Sequence, residues 1–259
     1  TYTIGGEQQT YLSYGKANRE PNRNDYENGN PRPERLHNIE VGWRFANKKS
    51  NRIEANVFYM RYKDQLVLTG ALNDVGAPLR ENSGDSYRLG LEIDASVTIS
   101  NKWRWMPTLT ISTNKNLDFK AQIDGEMRNL GDTPIAFSPN FIASNALVFS
   151  PISHLQISWL TKMVGEQYMG NTKSEKSKLD SYFTNDLVFN YSIKPKKWMD
   201  SLNIHLMLNN IFNTKYISNG FYYTYDDNWS TEGKIKTIEG AGYYPQAQFN
   251  WLTGLTLKF

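Results

Sequence analysis

Cysteine is absent from the 259 residues, which excludes a disulfide scaffold, a thiolate metal site and a cysteine nucleophile together. Histidine is scarce. His37, His154 and His205 are the three present, and none stands in the clustered His/Asp/Glu spacing that a metal site needs. No run of about 18 apolar residues occurs, so no transmembrane helix is written in the chain. Helical periodicity nowhere persists for three turns. An excess of one charge is lacking too: 29 Lys+Arg against 26 Asp+Glu leave a formal charge of +3, which gives no case for nucleic acid. Residues 1–30 lack the apolar stretch of a signal peptide and the chain opens on Thr1, so the expectation is a processed chain or a piece of something longer.

What the sequence has instead is alternation. In DSYRLGLEIDASVTIS, residues 85–100, Tyr87, Leu89, Leu91, Ile93, Ala95, Val97 and Ile99 fall on one face of an extended chain, and Arg88, Gly90, Glu92, Asp94, Ser96 and Thr98 on the other. Period two predicts a β-strand, and this one is more than twice the usual length of about 5 to 6 residues. The pattern recurs near residue 10 in TYLSYGKA, at 38–45, from Ile53 to Tyr59, and in Trp103–Asn114, Phe141–Phe149, Leu155–Tyr168, Phe183–Ile193, Leu202–Leu208 and Phe249–Phe259. Ten strands and no helix make the chain all-β.

Short and long connections alternate. NKKSN (47–51), SNK (100–102), SPIS (150–153) and KPKKWMD (194–200) are short; residues 19–34, 70–85, 118–139, 169–181 and 211–246 are long. Regular alternation puts all the long loops at one end of the sheet, which is the anatomy of an antiparallel transmembrane β-barrel of the outer-membrane type. A tilted strand needs about 9 to 11 residues to cross a bilayer, with one face in lipid and the other in water. Trp43, Phe45, Trp103, Trp105, Phe149, Trp198 and Phe259 lie beside the short turns or at the C-terminus, and Tyr87, Tyr168, Tyr182, Phe183 and Tyr216 beside the long loops. Two aromatic belts are what two membrane interfaces select. A soluble β-sandwich with core aromatics is the competing reading.

Several ordered fragments carry a resemblance. ANREPNRNDY (17–26) with NPRPERLHNIEVGWRF (30–45), VFYMRYKDQLVLTGALNDVG (57–76), LNNIFNTKY (208–216) and the terminal YYPQAQFNWLTGLTLKF together resemble the C-terminal half of a TonB-dependent outer-membrane receptor, of the type abundant in Bacteroidetes. The resemblance covers essentially the whole chain. It implies that the ten strands are part of a 22-stranded, plugged barrel, which at this chain's pace would need about 570 residues. The plug domain and the TonB box are not among these residues. The resemblance also implies that GLTLKF, with Leu255, Leu257 and Phe259 at alternate positions, is the family's assembly signal; Leu252 departs from that pattern.

Candidate site residues follow from these readings. Glu40, Arg44, Arg88, Glu92 and Asp94 are expected on the lumen face, where they contact a plug or a solute, or pair across the wall. FYYTYDDNW (221–229) in the last long loop gathers five aromatics and two carboxylates, and aromatics supply rigid contact area for a ligand. Tyr222, Tyr223, Tyr225, Asp226, Asp227 and Trp229 are therefore the expected ligand contacts, with Arg19, Asn22 and Arg23 of the first long loop as complementary donors for an anionic chelate; packing of the loop on its neighbours is the bland alternative. DFKAQIDGE (118–126) lacks the alternating oxygen ligands of a calcium loop. His37 lies near the long-loop end, where haem receptors resembling this chain sometimes place a ligand, but an ordinary wall histidine is the plainer reading.

By resemblance the function is energy-coupled uptake of a scarce nutrient across the bacterial outer membrane. An iron chelate is the first expectation, and the protein is not an enzyme. No cofactor, metal or nucleic-acid partner is expected. The partners are membrane lipid, a small-molecule ligand, the N-terminal plug with the remaining strands, and TonB through that plug. A passive porin is the alternative. A protease similar to omptins, which also have ten strands, would need Asp226 and Asp227 to join His37.

Overall fold

The computed structural model describes residues 1–26, 29–48, 50–72, 76, 78–194 and 199–259. Trp198, counted above in an aromatic belt, lies outside the described residues. The ten wall strands are Gln8–Arg19, Glu34–Ala46, Arg52–Lys63, Ser86–Ser100, Trp103–Asn116, Phe141–Ile152, Leu155–Val164, Tyr182–Ile193, Ser201–Asn209 and Asn250–Lys258. They pair antiparallel, each with its predecessor, in one continuous sheet, to which short Tyr2–Ile4 is added at the start and Thr133–Pro134 beside Trp103–Asn116. The only helices among the described residues are one α-turn, Arg23–Tyr26, and one 3₁₀ turn, Glu175–Ser177.

Registers hold the alternation in phase across the sheet. Val41, Val57, Leu91 and Ile111 stand in one row, and Glu54 lies between Arg44 and Asp94 in another. The first row is outward and apolar. Val57, Leu89 and Ile111 are well exposed, which a soluble domain of this size would not tolerate over such an area and a lipid-facing wall requires. On the inner face Arg52 bonds Asp94 at 2.6 Å, Arg44 faces Glu54 at 3.7 Å, and Arg88 donates to Ser138 at 2.8 Å. Glu40 accepts from Asn38 at 2.7 Å. These pairs stand in a partly wet face, where a salt bridge contributes about 0 to 1 kcal/mol.

Two inner-face rings depend on glycine. Phe58, only 8% exposed, lies over Gly90, and Tyr11 over Gly42; a Cβ at either glycine would overlap the ring. Tyr11 then donates to Asn56 at 3.2 Å and carries the Arg44 guanidinium 4.6 Å above its ring. Glycine inside a strand marks such a close approach.

Both belts appear as ring pairs. Trp103 stacks on Phe149 at 4.3 Å beside the short turns, and Tyr182 on Tyr216 at 4.5 Å beside the long connections. Some boundaries differ from the sequence reading. Phe141–Ile152 runs on through Pro151, because a register shift after Phe149 removes the ladder bond that proline could not donate. The strand from Leu155 stops at Val164; Gln167–Tyr168 turns away to pair with Lys178–Leu179.

The phase assigns Leu91 to lipid and Glu92 to the lumen. Leu91→Lys should cost about 2 to 4 kcal/mol and impair assembly, whereas Glu92→Lys should assemble nearly normally. Heat-modifiable gel mobility measures both, and equal behaviour of the two variants would contradict the orientation.

Candidate functional site at the long-loop end

Three of the long connections fold into hairpins. Leu66–Leu72 pairs with Pro78–Asn82, Lys120–Ile123 with Glu126–Asn129, and Ile217–Asp227 with Lys236–Pro245. The second hairpin turns on Asp124 and Gly125 with φ of 56° and 78°, the two left-handed residues that a tight hairpin with strand-matched twist needs. The third includes FYYTYDD as a strand, so the aromatics divide between two faces.

Buried amides join these hairpins. Asn171, 3% exposed, donates to the Leu68 carbonyl at 2.9 Å and accepts from Asn116 at 3.2 Å and from the Ala136 N–H at 2.9 Å. At the tips, Asp124 N–H donates to Thr237 Oγ1 at 2.7 Å, Thr237 N–H returns a bond to Asp124 at 3.0 Å, and Thr237 Oγ1 donates to Asp226 at 2.6 Å. Gln122 also donates to Asp226, at 3.3 Å. Ile235 covers Gly125 so closely that a side chain there would meet it.

Between the three hairpins lies a cavity of about 420 Å³, within the usual range for a small-molecule site. Val67, Phe119 and Met127 give it apolar wall; among the described residues Glu81, Asp226 and Glu239 give it three carboxylates against the single cation of Lys120. Tyr222 reaches across it. Its hydroxyl donates to Glu239 at 2.6 Å, and burial, with that bond second, pushes the phenol up to about 12. It therefore stays a donor throughout the neutral range.

The expected contacts are distributed unevenly. Tyr222, Tyr225 and Asp226 line the cavity. Tyr223, with Phe221 and Tyr225, lies on the opposite face of the strand, where the rings run at centroid separations of 6.2 and 6.5 Å and continue to Trp229 at 5.9 Å. Asp227 accepts from the N–H groups of Trp229 and Ser230 at 3.2 and 3.0 Å, and its carboxyl is lowered chiefly by the Ser230 side chain, then by the Ser230 N–H. Asn22 caps the α-turn reciprocally, its side chain accepting from Asp25 N–H at 3.1 Å while Asp25 accepts from Asn22 N–H at 2.8 Å. Arg19 ends the first wall strand and Arg23 opens the α-turn; none of these three lines the cavity. His37 pairs with the Tyr14 hydroxyl at 2.8 Å and does not line the cavity beside Asp226 either. Leu255 and Leu257 are well exposed on the outward side of the last strand, and Phe259, just past its end, is exposed as well. Among the described residues no group of three or more His, Asp or Glu is placed to hold a metal ion. Glu81, Phe119, Thr172 and Glu239 were missed by sequence reasoning; single polar or apolar residues in separate hairpins carry no local signal of a shared wall.

Residues 1–211 match the family model described as "TonB dependent receptor-like, beta-barrel". The chain belongs to the TonB-dependent receptor β-barrel family. Among solved structures, this TonB-dependent receptor barrel resembles the closed form of the ferric-catecholate import receptor Fiu from K12 E. coli, with a TM-score of 0.67, 14% identity, and coverage of 99% of this chain and 34% of that one. The siderophore receptor PiuA from Acinetobacter baumannii gives a TM-score of 0.67 at 15% identity, covering 100% of this chain and 35% of that one. The copper transporter OprC gives 0.69 at 16% identity, covering 99% and 38%. The chain thus spans about a third of the length of the structures it matches. Among curated protein sequences nothing matches it.

Thr237→Val removes the hydroxyl that links the hairpin tips while leaving both strands intact. Hydrogen-bond losses of about 1 kcal/mol each should reduce protection of the Asp124 amide by about tenfold in hydrogen exchange; unchanged protection would show that the tips are held by something other than this latch.

Proposed function

We propose that this chain is the C-terminal wall of an outer-membrane receptor that imports an iron chelate by TonB-dependent, energy-coupled transport. The observation that carries the reading is the cavity of about 420 Å³ closed by three hairpins over a charged inner wall, in a chain of the TonB-dependent receptor barrel family. Fiu and PiuA, which the chain resembles in fold, are described as a ferric-catecholate import receptor and a siderophore receptor, and this supports the choice of ligand class. The Bacteroidetes type is proposed on the motifs quoted above.

The remaining strands and the plug complete the cylinder. Tyr2–Ile4 and Asn250–Lys258 are the two ends of the sheet order, and an open sheet edge does not persist in hydrocarbon, so further strands from the same receptor close it. The plug fills the lumen against Glu40, Arg44, Glu92 and Asp94 and transmits the pull of TonB. Among the described residues, three carboxylates against one lysine around the cavity favour a neutral or cationic chelate.

Uptake of radiolabelled ferric chelates of graded charge, by cells carrying the full receptor, tests this. Uptake should cease with a protonophore, and Glu81→Gln with Glu239→Gln should weaken it about tenfold or more, as loss of central contacts does. Uptake indifferent to the protonophore would identify a passive porin; uptake that needs energy but ignores both substitutions would remove the cavity from the ligand's path.

A further inference from the structure

Register brings scattered cations together on the outward face of the first five wall strands, at the long-loop end. Tyr14, Ile39, Tyr59 and Leu89 form one outward row, each opposite the next. One step nearer the long loops stand Lys16, His37, Arg61, Tyr87 and Lys115, again each opposite the next. Beyond them Arg35 faces Lys63. The cations lie on five different strands, so no basic run marks them in the sequence. The tyrosines lie just beneath them, with the rings of Tyr59 and Tyr87 6.3 Å apart and the Tyr14 hydroxyl 2.8 Å from His37 Nδ1.

The band is short of counter-charge. Asp85 accepts from Arg61 at 2.5 Å and Asp64 from Arg32 at 2.6 Å, but among the described residues Lys16, Arg35, Lys63 and Lys115 have no ion pair. Like charges directly opposite on a sheet are destabilising. Arg35 and Lys63 are such a pair, and both are exposed. The outward positions at the long-loop ends of the other five wall strands are Phe141, Met163, Phe183, Leu208 and Trp251, none of them charged. A need merely to reach water past the hydrocarbon would not confine the cations to one side of the wall.

We propose that this band is a docking surface for the phosphorylated headgroup of an outer-leaflet lipid, an inference that rests on the outer-membrane reading above. Basic clusters beside a membrane surface recognise anionic headgroups, and charge-assisted bonds from Arg and Lys to phosphate are the strong ones. The band is continuous with the lipid-facing wall, so a lipid whose chains lie along Val57 and Leu91 carries its headgroup to this height. Neighbouring strands stand about 4.8 Å apart, which lets Arg35 and Lys63 hold one phosphate between them. From Lys16 to Lys115 the row crosses five strands, about 19 Å at that spacing. A headgroup with more than one phosphate fits along it, and Tyr14, Tyr59 and Tyr87 lie at the boundary with its chains, where aromatic rings are favoured.

Lipid binding to the full receptor, purified in a neutral detergent, tests this without any transport step. The probes are fluorescently labelled lipid A, a phosphorylated glucosamine lipid, and the same lipid after phosphatase treatment. The phosphorylated form should bind about tenfold or more tighter, and Arg35→Gln with Lys63→Gln should remove about that advantage. Arg35→Lys with Lys63→Arg should keep it, as should Lys48→Gln with Lys102→Gln in the short turns. Heat-modifiable mobility reports assembly of each variant, and Lys16→Gln with Lys115→Gln, at the two ends of the row, should show the same loss if the first pair does not assemble. Equal binding of the two lipid forms would overturn the proposal, as would undiminished binding by the assembled Gln variants. Displacement of the lipid by inorganic phosphate at equal concentration would overturn it too, by making the band a site for the free anion.

Discussion

Every backbone N–H and C=O inside a bilayer must find its partner within the protein, and the rest of this structure follows from that constraint. A sheet that meets it has one side chain in lipid and the next in water, so strand phase cannot slip without turning the whole apolar set inward. Ten wall strands hold one phase from Gln8–Arg19 to Asn250–Lys258. The wall is a single layer, and on its inner face rings fill two glycine notches, Tyr11 over Gly42 and Phe58 over Gly90.

Above the membrane the constraint relaxes and the chain changes style. Three of the long connections fold into hairpins that close on one another through side chains: Asn171 between three segments, Tyr222 onto Glu239, Thr237 between Asp124 and Asp226. These bonds enclose a cavity whose shape depends on three separate hairpins at once.

The wall was legible in the sequence because lipid on one side and water on the other impose a contrast at every step, as at Leu91 and Glu92. The hairpins were not. In FYYTYDD both faces of the strand carry tyrosine, so alternation leaves no polarity contrast, and the pairing with TIEGAGYY, where Gly240 and Gly242 lie beneath Tyr223 and Phe221, shows only in three dimensions. Asn171 reaches Leu68 across 103 residues, a contact that no local pattern announces. Asn22 is different. The Asn-x-x-Asp spacing to Asp25 carries the signature of a capping box, but the residue type alone had suggested a ligand donor.

The central claim is that one face of the wall meets lipid and the other water. A scan of single spin labels along residues 86–100 of the full receptor in lipid bilayers tests it most directly, with oxygen as the lipid-soluble relaxant and a nickel chelate as the water-soluble one. Strict period two is expected: labels at Leu89, Leu91, Ile93 and Val97 relaxed by oxygen, and labels at Arg88, Glu92, Asp94 and Ser96 relaxed by the nickel chelate. Accessibility without alternation, or nickel access to both sets, would contradict a membrane-spanning wall.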